Sequence, residues 1–296
     1  MKSGFISLIG RPNVGKSTLL NSIIGRKVAI TSDKPQTTRN IIQGIYTDDE
    51  VQMIFVDTPG IHKPKNKLGK VLNKEAYYSI DDVDIVLFLV DITEELGKGD
   101  KYILDILEKE KKKVILIINK IDKLPREEIL LKIDQYKDLY NFEEIIPVSA
   151  LKKENVDRLI NVLKGMLTDN IKYYDEAMYT NASEKFLVAE LIREKILDLT
   201  SEEVPHSVSV VTEQMIFNKN VININATIVV DRENLKKIIV GHNGSMIKEI
   251  GKRARVDIEA LFSKKVYLEL FVKVIPKWRD REKYLNELGY KVDNIE

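Results

Sequence analysis

From about residue 4 to residue 167, short apolar runs alternate with longer stretches in which apolar residues recur every three or four positions. The runs FISLI, VQMIFVD, DIVLFLVD, KVILIIN and EEIIPVS are short and nearly continuous, as buried strands are. The stretches Lys16–Ile24, 100–109, 127–139 and 155–167 carry the helical period between them. Strands alternating with helices predict an α/β fold with a mostly parallel sheet covered on both faces. Ligands of such sheets bind at the carboxyl ends of the strands, so the loops there come first.

Beyond residue 167 the pattern changes. TDNIKYYDEAMYTNAS is polar, rich in tyrosine and aperiodic, and reads as a linker that partly packs. A helix follows from Ser183, a fitting cap, to about Leu199. SVSVVTEQM and VININATIVV alternate with period two and form a hairpin across FNKN. A helix Glu233–Val240, the loop GHNG, a longer helix Ser245–Phe262 and a strand VYLELFVKV complete the order α-β-β-α-α-β. The domains are therefore expected at 1–172 and 183–296, joined by 173–182, the second an α+β unit.

Composition narrows the classes. The 296 residues include no cysteine, which excludes disulfides and thiolate metal sites and suits a reducing cytosol. The longest apolar run, IVLFLV, is far too short to span a bilayer, and MKSGFISLIG shows no cleavage-site pattern. A cytoplasmic protein is expected. The net charge is +1, so any basic surface must be local.

The first strand runs into GRPNVGKST, which fits G-x-x-x-x-G-K-[ST] between a strand and a helix. Across Gly10, Arg11, Pro12, Asn13, Val14, Gly15, Lys16, Ser17 and Thr18, glycines let backbone N–H groups cradle two phosphates. Lys16 reaches the terminal ones, and the Ser17 hydroxyl ligates Mg²⁺. A later strand ends in VDTPG (Val56, Asp57, Thr58, Pro59, Gly60), with a carboxylate for Mg²⁺ and a glycine N–H for a γ-phosphate. Another ends in NKID (Asn119, Lys120, Ile121, Asp122). Its terminal carboxylate can accept from guanine N1–H and the 2-amino group together, donors that adenine lacks there. Lys120 would lay its stem along the base, and Asn119 would tie the loop to the ring edge or to the phosphate loop. In VSAL, Ser149, Ala150 and Leu151 follow, with the Ala150 N–H available to guanine O6. Each tetrapeptide is weak alone; in this order on successive strand ends they point to GTP or GDP.

GRPNVGKS, DTPG, NKID and SAL resemble the nucleotide motifs of translation-factor-related GTPases, and KPQTTRN resembles their effector loop. The resemblance implies that one threonine of Thr37 and Thr38 coordinates Mg²⁺, with Thr38 favoured. Ras-like enzymes place a glutamine after D-x-x-G to orient water, whereas this chain has Ile61. Catalysis would then rest on positioning and charge by Lys16, Thr38, Gly60 and Asn13. Related GTPases with asparagine at position 13 bind K⁺ there; the other reading is that Asn13 only satisfies loop backbone. His62 is a weaker candidate for positioning water. Segments 26–40 and 61–70 are expected to switch with the nucleotide.

In the second half, G-x-x-G between two helices resembles the loop of a type II KH domain, which clamps a single-stranded RNA backbone. Gly241, His242, Asn243 and Gly244 form it, with Lys248, Lys252, Arg253 and Arg255 following. Residues 236–265 hold eight Lys or Arg against three acidic residues. A groove lined by residues such as Ile239, Ile247 and Ile250 would take the bases. Trp278 reads as a packing anchor. Together with SEKFLVAELIREKI and EEVPHSVSV, the whole chain resembles the Era family of bacterial GTPases. That resemblance implies binding near the 3′ end of small-subunit ribosomal RNA and a role in small ribosomal subunit assembly. It also implies partial association with the inner membrane surface, and a monomer is expected. The rival reading makes the second domain a protein or membrane-surface adaptor.

Overall fold

The computed structural model describes residues 1–290 except 35, 62, 65, 202 and 203. By their contacts they form two compact units. One comprises residues 1–31, 38–63 and 72–181, the other 32–37, 64–71 and 182–296.

The first unit is built on a six-stranded sheet. Its strands are β1 (Lys2–Gly10), β2 (Ile42–Thr47), β3 (Val51–Asp57), β4 (Ile85–Asp91), β5 (Lys113–Asn119) and β6 (Glu144–Pro147), in the order β2-β3-β1-β4-β5-β6. β2 pairs antiparallel with β3, and every other pairing is parallel. Helices α1 (Lys16–Ile24), α3 (Lys98–Glu110), α4 (Arg126–Tyr136) and α5 (Val156–Met166) lie where helical periodicity places them, within one to three residues. β3 and β4 are buried at every position, because a central parallel strand is covered on both faces.

Two elements escape the sequence pattern. β2 is an edge strand with Gln43 and Gly44 interrupting its apolar run, and half of it is only partly buried. Helix α2 (Lys67–Asp81) begins inside the segment 61–70 expected to switch and runs on through residues given no element, although Leu68, Val71, Leu72, Ala76 and Ile80 do follow a helical spacing and are buried. The stretch expected as a linker also belongs largely to the first unit. Gln52 accepts from the Tyr173 and Tyr174 N–H groups, both at 2.9 Å, and Thr180 forms a bridge to Gly44. Covering an edge strand in this way removes a row of unpaired backbone groups from water.

In the second unit, α6 (Glu184–Leu199) starts at Ser183, whose hydroxyl accepts from the Phe186 N–H at 3.3 Å. The four-residue α7 (Val204–Ser207) precedes a three-stranded sheet of β7 (Ser209–Phe217), β8 (Val221–Val230) and β9 (Lys265–Val274). β7 and β8 form the expected hairpin, and β9 pairs parallel to β8. Helices α8 (Glu233–Val240) and α9 (Ser245–Phe262) cover one sheet face, burying Ile222, Ile224, Ala226 and Ile228. The tail folds back through α10 (Glu282–Glu287). Trp278 is fully buried, stacks on Tyr290 and donates from Nε1 to the Ser207 carbonyl at 3.1 Å, so it is the packing anchor.

Candidate active site and nucleic-acid interface

Parallel pairing brings Gly10, Asp57, Asp91, Asn119 and Pro147, the last residues of five strands, to one edge of the first unit's sheet. The motifs scattered over 140 residues meet there because each follows or ends one of those strands.

At the phosphate loop, Lys16 is buried and donates to the carbonyls of Gly10 (3.1 Å) and Arg11 (3.0 Å). Burial pulls its ammonium down to about 8, against the opposing influence of Asp57. Gly15 has φ +99°, and a Cβ there would lie 2.2 Å from Asn119 Nδ2. That close approach lets Asn119 donate to the Val14 carbonyl at 2.8 Å, so Asn119 ties the base loop to the phosphate loop. Gly60 lies against Pro12, where a side chain would meet backbone at 2.7 Å. Asn13 is exposed with φ +65°, and Val14 is buried.

The Ser17 hydroxyl donates to Asp57 Oδ2 at 2.6 Å and lies 2.8 Å from Thr38 Oγ1. Thr37 instead donates to the Lys34 carbonyl at 2.6 Å, which separates the two threonines' roles. Burial pushes the Asp57 carboxyl upward, against the pull of Lys16 and of the Ser17 and Thr38 hydroxyls. Asp57 Oδ1 is buried without a hydrogen-bond partner among the described residues. Two hydroxyls and a carboxylate with an unsatisfied oxygen are hard ligands suited to Mg²⁺, and these three residues could hold it. Thr58, in contrast, is buried and donates to the Leu8 carbonyl at 2.8 Å, bracing β3 against β1. Pro59 is buried beside it. Ile61 sits in the core with Ile9, Val56 and Ile80 and cannot orient water; His62 lies outside the described residues.

At the base end, in the turn after β5, Ser149 donates to Asp122 Oδ1 at 2.6 Å, and Asp122 is exposed. The Ala150 N–H, expected to face guanine O6, donates to Asn119 Oδ1 at 3.0 Å. Leu151 is exposed. Lys120 has φ +66° and pairs its ammonium with Asp91, a partner that the motifs did not announce. Arg11 turns its side chain to Glu94 and Asp100.

In the second unit, α8 and α9 flank GHNG. Gly241 (φ +74°) would place a Cβ 2.7 Å from the Met246 N, whereas a Cβ on Gly244 (φ +77°) would meet nothing within 4 Å. His242 and Asn243 are exposed. Lys248, Lys252 and Arg255 are exposed and, at four- and three-residue spacings, share one stripe of α9. Arg253 lies ~100° further round and is held by Glu249 at 2.6 Å. Of the three isoleucines expected to line a groove, Ile239 and Ile250 are fully buried core residues, and only Ile247 is partly exposed. Arg279, in the basic tail, is committed to Asp231 (2.8 Å) and to the His206 carbonyl (3.2 Å).

Residues 5–120 match the family model described as a 50S ribosome-binding GTPase, and residues 203–279 match that of the KH domain. A crystal structure of an Aquifex aeolicus Era variant bound to GDP and AlF4⁻ is similar at 42% identity, covering 99% of this chain and 100% of that one, with a TM-score of 0.95. The chain belongs to the Era family of GTPases. A structure of Era with MgGDPNP and nucleotides 1506–1542 of 16S ribosomal RNA matches with the same identity, coverage and TM-score. As an Era-family member the chain is a GTP-hydrolysing enzyme with a P-loop GTPase domain and a KH domain. No helix among the described residues is long and apolar enough to cross a membrane.

Proposed function

We propose that this Era-family enzyme is a GTP-driven switch that binds single-stranded RNA near the 3′ end of small-subunit ribosomal RNA and acts in small ribosomal subunit assembly. The observation that carries the RNA half is the open face of Gly244, next to the exposed stripe of Lys248, Lys252 and Arg255. A relative similar over 99% of the chain forms a complex with nucleotides 1506–1542 of 16S ribosomal RNA. A sugar–phosphate backbone can approach Gly244 without meeting a side chain, and the stripe supplies the counter-charge.

In the GTP half, Lys16 and the N–H groups of residues 10–18 hold the phosphates, and Asp122 reads the guanine edge. Mg²⁺ held by Ser17, Thr38 and Asp57 would neutralise charge developing between the β- and γ-phosphates. Gly60 offers its N–H to the γ-phosphate. Ile61, the residue after Gly60, is buried and apolar and cannot orient water, so rate is expected to come from charge and positioning. Asn13, exposed on the phosphate loop, fits a K⁺ site there. Hydrolysis is then expected to run about tenfold faster in KCl than in NaCl. Asn13→Ala should erase that difference in a phosphate-release assay, and equal parental rates in the two salts would remove K⁺ from the reading.

RNA binding by the full-length protein, titrated across salt, tests the other half. The parent's affinity should fall steeply with salt, as phosphate contacts require. Gly244→Asp should weaken it about tenfold or more at low salt. Lys248→Glu with Lys252→Glu should do the same without touching the loop. Unchanged affinity in both variants would favour the adaptor reading of the second domain. The same proposal has the protein monomeric and cytoplasmic with a fraction at the inner membrane surface, to be measured by light scattering and vesicle flotation.

A further inference from the structure

Two carboxylates near the nucleotide edge belong to none of the nucleotide motifs. Asp91 ends β4 and is 4% exposed; Asp100, in the first turn of α3, is fully buried. Asp100 Oδ2 accepts the Gly97 N–H at 2.9 Å, while its Oδ1 lies 3.0 Å from Arg11 Nε in the phosphate loop, an ion pair whose atoms are not aligned for a hydrogen bond. Glu94 takes the end of the same guanidinium. The space for the arginine is built in: a Cβ on Gly99 would lie 2.9 Å from Arg11 Cδ, and one on Gly97 would lie 3.4 Å from Nη1. Lys132 holds the outer side of this segment through the Glu94 carbonyl and Glu95. At the segment's other end, Asp91 Oδ1 accepts from the N–H and hydroxyl of Thr93, while Oδ2 pairs with Lys120 of the base loop. The Ile92 N–H donates to the Asn119 carbonyl at 3.0 Å.

We infer that residues 91–100 form a brace between the two nucleotide loops, in which Asp100 positions the phosphate loop through Arg11 and Asp91 positions the base loop through Lys120. In this role both carboxylates act through other side chains, Asp100 through Arg11 and Asp91 through Lys120. Arg11 acts by its side chain as a tether, and its carbonyl, held in place, is one of the two that receive Lys16. The ammonium of Lys120, fixed at Asp91, leaves its stem free to lie along a base. A buried carboxylate facing a guanidinium is strongly coupled to it, since removing either partner strands the other.

The inference rests on the GTP site described above, and GDP binding by the parent protein is the control for that site. The test uses full-length protein, fluorescent GDP, and competition by GDP and by guanosine, which lacks phosphates. Asp100→Asn keeps an oxygen for the Gly97 N–H but loses the charge. It should weaken GDP about tenfold and leave guanosine within twofold. Arg11→Gln should match it, and the double variant should lose no more than either single one. Asp91→Asn should weaken guanosine and GDP by one common factor. Gly99→Ala, which crowds Arg11 without removing charge, should repeat the Asp100→Asn pattern in a protein whose thermal midpoint is read alongside. Additive losses in the double variant overturn the tether. So does an equal loss of guanosine and GDP in Asp100→Asn, or GDP affinity within twofold of the parent.

Discussion

Asp122→Asn should reduce GTP affinity by on the order of 10³-fold, while xanthosine triphosphate, negligible for the parent, becomes the preferred ligand. The reason is the donor pattern. Asp122 has one oxygen occupied by the Ser149 hydroxyl, and the carboxylate is left to accept from two guanine donors at once. An asparagine of the same shape retains the contact with Ser149 but turns an NH2 toward those donors. Charge-assisted bonds are worth about 1.5–3 kcal/mol each, so losing two and opposing like donors accounts for the expected factor. Xanthine carries a carbonyl where guanine carries its 2-amino group and restores the match. Competition titrations with GTP, ATP and xanthosine triphosphate check this. An Asp122→Asn protein that loses all three alike, or that still ranks GTP first, would show that the base is read elsewhere.

Lys16→Met should do two opposite things. Hydrolysis, as kcat/KM for GTP, should fall by about 10³-fold or more, because a buried cation aimed at developing phosphate charge is lost. The nucleotide-free protein should become more stable, by on the order of 1–3 kcal/mol near pH 7. Among the described residues, buried Lys16 gives its hydrogen bonds to two carbonyls, and burial lowers it from the usual lysine range to about 8 against the pull of Asp57. The unfolded chain therefore holds that proton more tightly than the folded one. Stability of the nucleotide-free parent should rise as pH climbs from about 8 toward 10.5, and that rise should vanish in Lys16→Met. Bound phosphate reverses the preference, so nucleotide binding above pH 8 should take up a proton and weaken as pH rises. Urea melts across pH, with calorimetry in buffers of different ionisation enthalpy, measure both. A Lys16→Met protein less stable than the parent at pH 7 would mean that the buried ammonium is well compensated in the free state.

The nucleotide motifs were legible because each one demands particular residues for backbone or chemical reasons that act locally. Gly15 is needed because the backbone there has φ +99° and a Cβ would lie 2.2 Å from the Asn119 side-chain nitrogen. Of the two threonines, Thr38 places its hydroxyl beside Ser17, and Thr37 gives its hydroxyl to Lys34. The strands of the central sheet were legible for a related reason: a strand covered on both faces has to be apolar throughout. β2 was not, since an edge strand tolerates Gln43 and Gly44, and α2 was obscured by the basic, proline-containing approach to it.

What chain order alone determined is the set of parts: a phosphate-loop motif, the carboxylate of NKID, hydroxyls and a carboxylate suited to Mg²⁺, and a glycine loop beside basic residues. Tertiary structure decided which side chain serves which neighbour. Arg11, counted among the nucleotide-binding residues, turns toward Asp100, 89 positions away. The Ala150 N–H goes to Asn119, Arg253 leaves the basic stripe for Glu249, and Ile239 and Ile250 turn into the core. Such pairings depend on sheet register and on the rotation of a helix about its axis. A shift of one residue in register exchanges the two faces of a strand, and one residue along a helix turns a side chain by ~100°. Both are set by packing of the whole unit, which no local stretch of sequence encodes.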